Sequence, residues 1–138
     1  MNALTRLKNK SMIMRLMQLV FTLGKDEKDP VICKGIEIRK DLSDDTEVRI
    51  ESDKISFTLE TKKTVNGVRT FVSDIIASDE GYITRLLDRI TIDAINAGEL
   101  PPVAEGVSKN IIDSYIKLGG SETISGDGSD ALILPLSR

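Results

Sequence analysis

The chain has 138 residues, 40% apolar and 30% charged, with 4% aromatic residues and no tryptophan. This is the size and balance of one globular domain with an aliphatic core, and it excludes a disordered chain. The absence of histidine and the single cysteine, Cys33, exclude a Cys/His zinc centre, an internal disulfide and histidine general-base chemistry.

Charge is unevenly spread. Residues 1–25 hold Arg6, Lys8, Lys10, Arg15 and Lys25 and no acid, so they carry +5. The whole chain carries −3, which leaves −8 on the remainder. The first predicted element is a helix over Leu4 to Leu23, stopped by Gly24. Its polar residues Lys8, Ser11, Arg15, Gln18 and Thr22 recur every three or four positions, a narrow ridge on an otherwise apolar surface. Such a helix has more apolar surface than one small core covers. Ile13, Met17, Val20 and Phe21 are therefore expected at a partner interface. The basic residues Arg6, Lys8, Lys10 and Arg15 are candidates for contact with nucleic acid. The apolar stretch falls short of the roughly 20 residues a membrane span needs, and it lacks an A-x-A-like cleavage site. The expected location is the cytoplasm, or the virion if the protein is viral, without membrane contact.

After the charged segment Lys25 to Pro30, the apolar period becomes two. Ile36 and Ile38, then Val48 and Ile50, then Ile55, Phe57 and Leu59, alternate with polar residues as half-buried strands do. Ser52-Asp53 separates the second strand from the third. Asn66-Gly67 predicts a type I′ hairpin, which needs positive φ at both central positions. Pairing Val65 with Val68 across it sets Leu59 opposite Asp74 and Phe57 opposite Ile76. One face of that hairpin is then apolar. The other carries Lys62 and Arg69 around Phe71 and, with Lys63, is a second candidate nucleic-acid contact.

Ser78, with Asp79 and Glu80 behind it, predicts a helix start, and Ile83, Leu86, Leu87, Ile90 and Ala94 form its buried stripe. Gly98 ends it. A last helix follows Pro101-Pro102 and runs to Leu118, with an apolar stripe through Val107, Ile111, Ile112, Tyr115 and Ile116. Gly119 to Asp130 has the composition of a spacer. The apolar segment that follows predicts docking through Leu132, Ile133 and Leu134, onto the chain's own core or onto a neighbour.

The layout expected is thus α+β: an antiparallel β-meander of about four strands, an N-terminal helix, two C-terminal helices and an extended tail. The divisions are an arm over 1–24, a domain over 25–118 and a tail over 119–138. In topology alone, a meander followed by two helices resembles the coat proteins of single-stranded RNA bacteriophages, whose helices interlock across a dimer. No motif carries that resemblance, and the N-terminal helix and long tail depart from it.

No phosphate loop, nucleophile elbow or dinucleotide fingerprint is present. Asp41, Asp44, Asp45 and Glu47 offer oxygen ligands, and Gly126 to Asp130 has calcium-loop residues without the EF-hand glutamate. A solvated acidic loop is the stronger reading of the first, and no metal or cofactor is expected. The sequence points to a non-enzymatic assembly or adaptor protein, possible within the viral structural class, that oligomerises through its N-terminal helix and C-terminal tail. The alternative is a nucleic-acid-associated regulator using the basic N-terminal helix.

Overall fold

The computed structural model describes Leu19, Leu23 and residues 31–40, 46–124 and 128–135. It contains, in chain order, β1 (Cys33–Lys40), β2 (Thr46–Ser52), β3 (Ile55–Thr64), β4 (Gly67–Ala77), α1 (Glu80–Ala97), β5 (Val103–Glu105), α2 (Lys109–Ile116), β6 (Ser121–Ile124) and β7 (Asp130–Ile133). All seven strands join one sheet in the order β1-β2-β3-β4-β5-β7-β6. Strands β4 and β5 are parallel, connected through α1, and every other pairing is antiparallel.

This corrects the four-strand meander with an N-terminal helix and an extended tail. The sheet is mixed and has seven strands, three of which follow α1. The phage-coat ordering fails for the same reason, since strands come after the helices as well as before them. Leu19 and Leu23 have helical backbone and are buried in the core; the rest of the expected N-terminal helix lies outside the described residues.

The core lies on one face of the sheet. Val48, Ile50, Ile55, Phe57, Leu59 and Val72 pack there with Leu86, Leu87 and Ile90 of α1, with Ile111, Ile112 and Tyr115 of α2, and with Leu19 and Leu23. Alternation on β2 and β3 produces this directly. Val48 sits opposite Leu59 and Ile50 opposite Phe57, so each pair adds a row to one apolar surface.

The β3–β4 register differs by two residues from the expected one. Leu59 faces Val72, and Thr64 faces Gly67. The turn residues are Val65 and Asn66, because Thr64 organises the loop itself. Its hydroxyl donates to the Gly67 carbonyl at 2.7 Å and accepts the Asn66 N–H at 3.2 Å. Only Gly67, at φ 137°, takes positive φ there. A shift of two leaves each side chain on its expected face. Near Asp74 the faces do change. Phe57 opposes both Asp74 and Ile75, a β-bulge with Asp74 at φ 50°. Ile75 therefore packs against the core while Ile76 turns outward, 67% exposed, against the expectation that it lines the apolar face.

Helix α1 is capped by Asp79 rather than Ser78: the Asp79 carboxylate accepts the Gly81 N–H at 2.7 Å. Gly98 closes the helix in the left-handed region, as the sequence requires. Ser108 caps α2 and donates to Glu80 at 3.0 Å, which ties the starts of the two helices together. The hydroxyl of Tyr115 lies 2.7 Å from a carboxylate oxygen of Asp88 and 3.1 Å from the Thr84 carbonyl. Gly120 is constrained by space. A Cβ there would stand 2.9 Å from the Tyr115 carbonyl oxygen and 3.0 Å from that of Ile133.

Candidate interaction surfaces

The face of β1–β4 away from the helices is polar and has a shallow depression of about 500 Å³, lined by Glu37, Glu47, Arg49, Glu51, Thr58, Asp74 and Ile76. Register explains the grouping. Glu37, Arg49, Thr58 and Ser73 form one cross-strand row, with Glu51 and Ser56 in the next. The bulge exposes the Asp74 carbonyl, and Arg49 donates to it at 2.9 Å and to the Thr58 hydroxyl at 3.2 Å. Glu51 lies 4.0 Å from the same guanidinium. The centre of the depression therefore already holds a cation bonded to neutral oxygens. Among the described residues no group of three acidic or cysteine side chains is placed to hold a metal ion. Asp41, Asp44, Asp45 and Asp127 lie outside the described residues, and Glu47 is exposed. The sequence reading missed Arg49 and Thr58, and met Asp74 only as a misfit on the apolar face opposite Leu59. The signal available was an arginine amid glutamates on a polar strand face.

The hairpin tip holds the second basic group. Lys62 and Arg69 face each other across β3 and β4. The Lys62 ammonium lies 5.1 Å from the Phe71 ring centre and 3.3 Å from Glu60. Lys63 pairs with Val68, one residue out of step, so it alternates to the other face. The expected trio is thus a pair beside an aromatic, partly neutralised by Glu60. Arg6, Lys8, Lys10, Arg15, Ile13, Met17, Val20 and Phe21 lie outside the described residues.

The C-terminal segment is placed within this chain's own sheet. Leu132 and Leu134 are fully buried, Ile133 is half-buried, and β7 pairs with β5 on one side and β6 on the other. Outside it, Lys109 of α2 donates to Glu122 of β6 at 3.0 and 3.2 Å, and that hydrogen bond raises the Lys109 pKa.

The sheet order leaves β1 and β6 at the two edges. Strand β1 is eight residues long, and no strand among the described residues pairs with its outer side. Ile32, 61% exposed, leads into it, held by its N–H donating to the Asp53 carboxylate at 2.8 Å. Cys33 and Glu37 are exposed along it. No described helix is long and apolar enough to cross a membrane. No protein-family model matches the chain, and no curated protein sequence matches it.

Proposed function

We propose that the chain is a non-enzymatic assembly or adaptor protein that works as a homo-oligomer, in the cytoplasm or, if the protein is viral, in the virion. The observation that supports this best is the outer edge of β1, which no strand among the described residues covers. An edge strand presents a row of unpaired N–H and C=O groups, and such an edge is a template for another chain. Apolar surface beside it, at Ile32, adds burial to the hydrogen bonds such pairing forms. The composition of the aliphatic segment Met12 to Leu23 supports a second contact, through Ile13, Met17, Val20 and Phe21; Leu19 and Leu23 of the same segment are buried in the chain's own core. The C-terminal segment is not proposed as an arm, because Leu132 and Leu134 fill the core of its own chain.

Light scattering on the full chain tests the reading. Oligomerisation predicts a mass that is a multiple of 15.2 kDa and falls on dilution. A mass of one chain at every concentration overturns it. The pairing of Lys62 and Arg69 beside Phe71 favours one second reading, contact with single-stranded nucleic acid. Retention on heparin that weakens steeply with salt and is lost in Lys62→Ala/Arg69→Ala supports that reading; retention unchanged by the substitutions overturns it.

A further inference from the structure

We infer that Lys62, Arg69 and Phe71, on the outward face of β3 and β4, hold one nucleotide unit of a single-stranded nucleic acid, its phosphate between the two cations and its base on the phenyl ring. This rests on the nucleic-acid reading above and assigns a separate task to each residue.

Lys62 and Arg69 stand directly opposite each other across the two strands. Like charges in that position destabilise an antiparallel pair, and an anion seated between them removes the repulsion. The chain itself offsets only one of the two. Glu60 lies 3.3 Å from the Lys62 ammonium. Arg69 has no ion-pair partner among the described residues, and its Nε is buried without a hydrogen bond. The contact with Glu60 leaves Lys62 able to bind. Both side chains of that pair are exposed, at 44% and 38%, so the pair is weak, and an ammonium has two further protons to donate. A phosphate group suits this pair of donors, because its several oxygens accept from a planar guanidinium and from an ammonium at once.

Phe71 follows Arg69 by two residues on β4 and so shares its face, and it is half-buried rather than enclosed. The Lys62 ammonium lies 5.1 Å from the ring centre. One side chain therefore spans the cation pair and the ring. A phosphate that draws Lys62 toward Arg69 uncovers the ring for a base, and stacking on a phenyl ring accepts any base. An acidic peptide would meet the cations but leave the ring without a planar partner.

Fluorescence anisotropy of a labelled oligouridylate with the full chain, over a salt series, tests this division of roles. Arg69→Gln should weaken binding about tenfold and lower the slope of log affinity against log salt by about 0.7, the share of one phosphate contact on a single strand. Phe71→Leu should weaken binding about tenfold with the slope unchanged, because a stack is lost and no phosphate contact with it. Polyglutamate should compete no better than its ionic strength explains. Circular dichroism melts verify that each variant is folded. If Arg69→Gln unfolds the domain, Arg69→Lys takes its place, with the slope kept and the affinity reduced by loss of the planar fork. Binding that ignores Phe71→Leu, a slope that Arg69→Gln leaves unchanged, or displacement by polyglutamate overturns the nucleotide site. Any of these, with binding still lost in Lys62→Ala/Arg69→Ala, leaves the broader reading of a basic contact standing. A parent protein that binds no oligouridylate at low salt overturns both.

Discussion

Strands β1–β4 and strands β5–β7 belong to one sheet, yet different contacts assemble them. In the first region each strand pairs with the next along the chain, across connections as short as Val65-Asn66, and every pairing is antiparallel. In the second, β5 reaches β4 only after α1, and β7 enters between β5 and β6. The first region has one face on the core and one polar face. In the second, the central segments are covered on both faces: Val103, Ala104, Ala131 and Leu132 are all buried. Local hairpins need little loop closure, whereas the second region depends on contacts distant in sequence. The last strand therefore completes the fold although it comes last in the chain.

The largest expected effect breaks that dependence. Removing residues 128–138 deletes β7, which bonds to strands on both sides and contributes Ala131, Leu132 and Leu134 to the interior. Cooperative unfolding in urea should be lost. A truncated protein that melts like the parent would show that the first region is stable by itself.

Point substitutions sharpen the same comparison. Phe57→Ala in the first region should cost about 3–5 kcal/mol, and Leu132→Ala in the second about 2–5 kcal/mol, as both side chains are fully enclosed. Denaturant titration should show one transition in each variant. Two transitions would divide the sheet into independent halves.

The alternation of Ile36, Val48, Ile50, Ile55, Phe57 and Leu59 makes β1–β3 legible in the sequence, because a half-buried strand imposes period two. The Gly98 stop and the apolar stripe of α1 are legible for a similar reason, whereas the N-cap falls on Asp79, one residue beyond the expected Ser78. Strand β5 is three residues long, too short to show a period. In β7 burial on both faces turns Ala131 to Leu134 into a continuous apolar run, which looks the same in a docking arm and in a central strand. Asp74 was legible as a misfit on an apolar face. Its resolution as a bulge that lends a carbonyl to Arg49 depends on the partner strand, so local pattern could not supply it. Cross-strand register likewise decides which polar residues meet, so the grouping of Glu37, Arg49, Thr58 and Asp74 had no local signature.

Gly120→Ala should cost roughly 1–3 kcal/mol, because its Cβ would press on two backbone carbonyls, one from α2 and one from β7. Thermal melts read this directly. An unchanged melting temperature would mean that the end of α2 and β7 can separate freely. At the β3–β4 tip the effects are smallest. Gly67→Ala should cost about 1 kcal/mol, since Gly67 alone there holds positive φ, while Asn66→Ala should stay within about 0.5 kcal/mol. Equal losses in the two variants would instead favour the turn with both residues at positive φ.

The most direct test of the central claim, that the C-terminal strand is an internal strand of its own chain, is amide hydrogen exchange on the full-length protein over a dilution series. The account predicts that the amides of Leu132 and Leu134 exchange as slowly as those of Val48 and Ile50, and that dilution leaves their protection unchanged. Rapid exchange at Leu132 and Leu134, or protection that disappears as the protein is diluted, would contradict it and return this segment to the role of an arm held by a neighbouring copy.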